Sequence, residues 1–183
     1  MLHFKNDGYL PKNCRELAHR ARDLVFDMKN VSVRLARVAT TFTEFDVAAE
    51  KEDLDKQLEK LSPIGDVDNV RHVFEEHIEK EKGITDGIFF YNSERFWECH
   101  EAFEGVWNQC YGREKELVQG IILVAVAFAH AQANEAKIGV GMLKRALEKL
   151  GTSPSMYHSI DVDRIRAKSI EMQQAQKLTI FEI

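Results

Sequence analysis

A histidine and two carboxylates lie within one helical turn of each other near the middle of the chain. His100, Glu101 and Glu104 belong to the run H-E-A-F-E. Residues four apart lie on the same side of a helix, so the imidazole of His100 and the carboxylate of Glu104 can bind one group together. This is the helical spacing of H-E-x-x-H zinc sites, in which the glutamate acts as general base. His100 and Glu104 are therefore candidate metal ligands, and Glu101 is a candidate base that activates a metal-bound water.

The helix that carries these side chains directs them at or beside its apolar face. With His100 at 0° on a helical wheel, Phe103 falls at about −60° and Trp107 at about −20°. His100 is predicted inside the apolar stripe, and Glu104, at about +40°, is predicted beside it. An unpaired charge in a core is costly, so each group needs a partner. We therefore expect the pair to share a site shielded from solvent.

A second helix supplies the expected partners. Between residues 117 and 131 the strongly polar side chains are those of Gln119 and His130. They lie on the same face, about 16 Å apart along the axis. A short turn before this helix predicts antiparallel packing on the first one. His130 is thus a candidate third metal ligand, and the candidate pocket residues are Glu98, Trp107 and Gln119.

Three interpretations of this polar cluster between helices stay open. The cluster binds a divalent metal ion or a small-molecule ligand, or its members only hydrogen-bond across the helix interface and fix its register. In the third interpretation the protein is a non-catalytic structural or interaction module that forms a homodimer, which is compatible with either of the others. Whether the protein is an enzyme stays open as well.

Residues 1–73 predict a small α+β domain. Leu2 and Phe4 alternate with polar residues as in a short strand. Asn13 and Glu16 have the spacing of a capping box at the start of a helix. Alternating runs at 31–36 and 41–47 then predict two half-buried strands.

A second helix and a weak last strand complete the predicted domain. Leucines at 54, 58 and 61 mark the helix, which ends before Pro63, and valines at 67, 70 and 73 suggest the strand. The order β-α-β-β-α-β matches the ferredoxin-like arrangement, in which two helices cover one face of an antiparallel sheet. That fold hosts many functions, so the topology alone predicts none.

Residues 74–82 are highly charged and predict a connection between domains. Residues 83–183 then predict an all-α helical bundle. Its helices are expected at about 92–111, 114–134, 138–150 and 161–177. Gly112 and Gly151 end two of them, and Asp161 can cap the last. The predicted fold class is thus α+β, with a ferredoxin-like domain followed by a helical domain.

The helical domain contains two motifs of a known family. F-F-Y-N-S-E-R-F-W-E-C-H-E-A-F-E-G-V-W at 89–107 and Q-G-I-I-L-V-A-V-A-F-A-H at 119–130 resemble the domain of unknown function 309 family over residues 83–151. Members are small helical bacterial and archaeal proteins with an aromatic-E-x-H-E-x-x-E-x-x-W helix followed by a Q-G-apolar-H helix. The matching positions are Glu98, His100, Glu101, Glu104, Trp107, Gln119, Gly120 and His130. The resemblance implies a fold and a signature, without an established reaction.

Composition excludes several classes of partner. The 183 residues include 25 Lys and Arg and 30 Asp and Glu, a net charge of −5 that argues against nucleic acid. The longest apolar stretch, 121–129, is shorter than the about 20 residues that a membrane helix needs, so no membrane partner is expected. Three cysteines without a C-x-x-C pair, and no recognisable secretory signal, predict a cytoplasmic protein.

Overall fold

A computed structural model describes residues 1–72 and 79–183. The described residues divide into two compact units. The first unit holds 1–72 together with 132–134, and the second holds 79–131 and 135–183. Residues 74–78 of the predicted connection, and Val73 of the predicted last strand, lie outside the described residues, whereas Lys80 already begins a helix.

The first unit is a four-stranded antiparallel sheet with two helices. Its elements are β1 (Leu2–Lys5), α1 (Cys14–Leu24), β2 (Ser32–Val38), β3 (Phe42–Ala48), α2 (Leu54–Leu61) and β4 (Val67–Val70). The strands lie in the order β2-β3-β1-β4. The predicted element order and the α+β class are confirmed. Alternation places Leu2, Phe4 and Phe45 on one face, where they form a core with the apolar sides of both helices.

Two local predictions in this unit are wrong. A bulge between Val33 and Leu35 shifts the register of β2 against β3, so Leu35 is exposed and Ala36 is buried. Simple alternation had predicted the reverse for these two residues. The side chain of Asn13 does not cap α1, because its Oδ1 accepts a hydrogen bond from the backbone N–H of Leu10 at 2.9 Å instead.

The second unit is helical with one small hairpin. Its elements are α3 (Lys80–Asn92), α4 (Phe96–Trp107), α5 (Gly112–Gln132), α6 (Ala136–Leu150), β5 (Met156–Tyr157), β6 (Ile160–Asp161) and α7 (Val162–Ala175). No helix over residues 83–91 and no hairpin were predicted from the sequence. The Asp161 cap is confirmed, since its Oδ1 accepts from the N–H of Arg164 at 2.9 Å. Across 1–72 and 79–183, no helix combines the length and the apolar character that crossing a membrane requires.

Candidate functional site

The buried face of α4 lies further from His100 than the wheel predicts. The apolar residues of the buried stripe are Phe96, Cys99, Ala102, Phe103 and Val106, and Glu98 is buried as well. Small residues therefore form as much of this stripe as aromatic ones, and they move its centre away from the histidine. His100 lies at the edge of the core as a result, and Glu104 lies outside it.

His100 and Glu104 contact each other on successive turns, as their spacing predicts. Nε2 of His100 lies 3.2 Å from Oε1 of Glu104. The His100 side chain is 16% exposed, but that of Glu104 is 56% exposed. The expectation that both groups are shielded from solvent is therefore wrong for the carboxylate. The pair forms a small site that is open on the Glu104 side.

Trp97 packs against the imidazole of His100, and Glu101 binds the indole of Trp97. The ring of Trp97 lies against that of His100, with centroids 4.7 Å apart and planes tilted by 31°. The indole N–H of Trp97 donates a hydrogen bond to Oε1 of Glu101 at 2.9 Å. Glu101, the candidate base, thus fixes the indole that packs on His100. These contacts favour a positioning role for Glu101.

The candidate pocket residues occupy different environments. Glu98 is fully buried, and both its oxygens accept hydrogen bonds from Arg95. Trp107 is half-buried, and Nζ of Lys115 lies 3.8 Å from its ring centroid in a cation–π contact. Its buried indole N–H has no hydrogen-bond partner within the described part of the chain. Gln119 is half-buried on α5.

His130 lies at the end of α5 and pairs locally. Its Nδ1 is 2.6 Å from Oε2 of Glu135, three residues beyond the end of the helix. Within 1–72 and 79–183, His100, Glu104 and His130 do not bring one ligand atom each to within 4.8 Å of one another. The structure brings His100 and Glu104 together, whereas His130 pairs with Glu135.

The first unit contains a buried polar cluster that was not predicted from the sequence. Glu44 on β3 lies opposite His3 on β1 and Arg37 on β2. Nε2 of His3 is 3.3 Å from one carboxylate oxygen, and Arg37 donates to the other. Burial raises the pKa of Glu44, but the contacts with His3 and Arg37 outweigh it, so the pKa is lowered. Pairing the three strands in their correct register would have placed these three side chains side by side. The sequence alone does not give that register.

A second polar cluster joins several elements of the helical unit. Glu114 on α5 lies 2.7 Å from Nζ of Lys80 on α3 and accepts a hydrogen bond from Oη of Tyr157 on β5 at 3.0 Å. Cys110, three residues beyond the end of α4, lies near the same carboxylate. Contact with Lys80 lowers the pKa of Glu114, and burial raises the pKa of Cys110. The cluster therefore combines an ion pair with a neutral thiol and phenol.

Residues 84–142 match the family model described as Domain of unknown function (DUF309), and the N-terminal segment lies outside this match. The match falls within the stretch over which the two motifs predicted a resemblance to this family. It comprises α3 from its fifth residue onward, then α4, α5 and the first half of α6. No curated protein matches the chain significantly. The family description adds no reaction, so a functional conclusion depends on the geometry.

Proposed function

We propose that the helical unit binds a divalent metal ion on the solvent side of α4, with His100 and Glu104 as its protein ligands. The observation that carries this proposal is the distance of 3.2 Å between Nε2 of His100 and Oε1 of Glu104. Ligand atoms at about 2.1 Å from zinc lie about 3.0 Å apart at a right angle and about 3.4 Å apart at the tetrahedral angle. The two atoms thus have the separation of neighbouring ligands of one ion.

The exposure of Glu104 suits an open metal site. Two protein ligands leave the remaining coordination positions to water or to a small ligand. Because the Glu104 side chain is 56% exposed, those positions face solvent. Such an ion would exchange readily and could present a bound small molecule. This is the small-ligand function that the sequence motif first suggested.

Trp97 and Glu101 would prepare the imidazole for binding. The indole packs on the His100 ring with a centroid separation of 4.7 Å, and Glu101 fixes the indole through its N–H. A histidine held by such neighbours loses less side-chain freedom when it binds a metal. The positioning contacts and the two ligands all come from one helix, so they form without any partner element.

The experiment is a titration of metal-free full-length protein with Zn²⁺ and Co²⁺. Calorimetry measures the binding of both ions, and visible absorption also measures the binding of cobalt. We expect one ion per chain for the wild type. His100→Ala should lose the binding, and Glu104→Gln should weaken it about tenfold or more, because each removes a ligand. Metal content of each variant is measured after dialysis.

His130→Ala is the matched control, because His130 also pairs with an exposed glutamate. The variant should keep the affinity of the wild type. Equal losses in His100→Ala and His130→Ala would contradict the two-ligand site and favour the three-ligand site of the sequence motif. No binding by the wild type would remove the metal proposal altogether.

The half-exposed tryptophans favour a second candidate function, an interaction module. Trp97 and Trp107 both lie on α4, and neither is fully buried. Large, partly exposed aromatic side chains are enriched where proteins associate. On this alternative the protein forms a homodimer through the α4 face. Light scattering on the wild type and on Trp97→Ala tests it, with a monomer at all concentrations as the contradicting result.

The setting that we propose is a cytoplasmic protein whose first domain is ferredoxin-like. The element order and the β2-β3-β1-β4 sheet support this fold assignment. Three buried cysteines that form no disulfide support a reducing compartment. Neither feature points to a nucleic-acid partner, and the net charge of −5 opposes one.

A further inference from the structure

The first unit contains a cavity that belongs to none of the sites above. It lies beside α2 and has a volume of about 190 Å³. The apolar part of its lining comes from Leu2 on β1, Val47 on β3, Leu54 on α2 and Val70 on β4. Elements from across the sheet therefore surround it, and a bound molecule would lie against aliphatic side chains.

One polar side chain of the lining is buried and unsatisfied. Gln57 on α2 lines the cavity and is 1% exposed. Its amide nitrogen Nε2 has no hydrogen-bond partner among residues 1–72 and 79–183. A buried donor without an acceptor destabilises the empty protein. A ligand oxygen in the cavity would supply the missing acceptor.

The size of the cavity restricts what can enter. A dry apolar cavity of about 150 Å³ holds benzene in another protein. The cavity beside Gln57 is somewhat larger, at about 190 Å³. It therefore accommodates a single ring or a short branched chain with one small polar group. Nucleotides and peptides are too large to be enclosed.

The charged residues of the lining favour an anion. Among the described residues of the lining, Lys51 and Arg71 carry positive charge and Glu50 carries the only formal negative charge. His72 lies there as well. A donor amide together with a net positive lining is complementary to a carboxylate.

We infer that this cavity binds a small carboxylic acid with a compact apolar body. Its ring or branched chain lies among Leu2, Val47 and Leu54. One carboxylate oxygen accepts the hydrogen bond from Nε2 of Gln57, and the negative charge is balanced by Lys51 and Arg71. This function is independent of the metal site on α4, because it uses residues of the first unit alone.

The experiment uses the full-length protein and three probe acids: benzoate, phenylacetate and 4-methylpentanoate. Saturation-transfer NMR measures binding at millimolar concentration, and ¹H–¹⁵N spectra report shifts at Gln57 and its neighbours. Toluene, which has the ring but no acceptor, is the matched probe. We expect at least one acid to bind and to shift the Gln57 side-chain amide, with toluene weaker by about tenfold.

Gln57→Leu keeps the approximate side-chain volume and removes the donor. We expect it to weaken acid binding about tenfold or more, and to melt at the same or a higher temperature because the unsatisfied amide is gone. Gln174→Leu, at an exposed position of α7, is the matched control and should bind as the wild type does. Lys51→Met should weaken binding by a smaller factor, since Lys51 is exposed.

Three results would overturn the inference. The first is that no probe acid shifts residues of the cavity in the wild type. The second is that Gln57→Leu binds the acids as tightly as the wild type, and the third is that toluene binds equally well. A lower melting temperature of Gln57→Leu would also count against it, because it would show that the amide stabilises the empty protein.

Discussion

Glu44 is a buried carboxylate of the sheet with two cross-strand partners. Its side chain is 2% exposed, with His3 and Arg37 on the neighbouring strands. The sequence predicted the face of the strand on which Glu44 lies, since alternation determines that. It could not predict burial, because alternation along one strand does not show whether its polar face is covered.

The Arg37–Glu44 pair predicts a large cost for removing one partner. Arg37→Met should lower the free energy of unfolding by about 3–5 kcal/mol, because it leaves a buried carboxylate without its cation. Urea denaturation at neutral pH, followed by circular dichroism, measures the change. Lys168→Met is the control, since Lys168 forms an exposed helix pair with Glu171. The control should change stability by about 0.5 kcal/mol or less, and equal effects would contradict the prediction.

The contact between His100 and Glu104 was predictable, whereas its exposure was not. Residues four apart on a helix contact each other regardless of what surrounds the helix. The apolar stripe, however, is centred by Cys99 and Ala102 as much as by the large aromatic residues. When the buried face of the helix is predicted from the aromatic side chains alone, it falls too close to His100. Which small residues are buried depends on the neighbouring helices, and that information is not local.

At the scale of the element, glycines let the helices of the second unit approach closely. A Cβ on Gly120 of α5 would lie 2.7 Å from Cγ of Leu150 on α6. A Cβ on Gly139 of α6 would clash with the backbone oxygen of Ala127 on α5. Gly120, a position of the family signature, therefore has a packing role at the α5–α6 contact.

Two glycines of α6 should respond in opposite ways to alanine. Gly139→Ala should destabilise the protein by about 1–3 kcal/mol, because the new methyl group meets backbone that cannot move aside. Gly141→Ala should stabilise it by about 0.5–1 kcal/mol, because nothing lies within 4 Å of its Cβ position and alanine favours the helix. Thermal and urea denaturation of both variants test this. Similar shifts in both would show that α5 and α6 are less closely packed.

The helix α3 contains two glycines that pack in the core. Gly83 and Gly87 interrupt its pattern and suggest a loop by the usual rules. In the structure both are buried, and a Cβ on Gly87 would lie 2.5 Å from the ring of Phe103 on α4. The residue that weakens the helix locally is the one that allows the aromatic core to form. Tertiary packing overrides the local preference here.

At the scale of the whole molecule, the sequence predicted the fold class and the order of the elements better than the side-chain contacts between them. Element order follows from local periodicity, and the family motifs located the helical domain. His130 shows the limit, since helix length alone allowed it near His100. The structure pairs it with Glu135 just beyond the same helix. Such pairings depend on crossing angles and turns, which a single sequence does not determine.

Acid pH tests how charge stabilises the whole protein. The 30 carboxylates outnumber the 25 Lys and Arg side chains, and Glu114 joins α3 to the β5–β6 hairpin. Contact with Lys80 lowers the pKa of Glu114, and the same contact raises the pKa of Lys80. The carboxylate stabilises the fold above its unfolded-state pKa, and this is lost as pH falls through the lowered value. The lysine contribution is present below its unfolded-state pKa and is lost as pH rises through the raised value.

Glu114→Gln should therefore destabilise the protein at neutral pH and matter less in acid. The pair is partly exposed, so the expected cost at pH 7 is about 0.5–1 kcal/mol. The difference from wild type should shrink as pH falls below about 4. Tryptophan fluorescence during urea denaturation follows this unit, because Trp97 and Trp107 are the only tryptophans of the chain. A difference that stays constant from pH 7 to pH 3 would mean that the amide loses packing rather than charge, since only the ionised carboxylate titrates away.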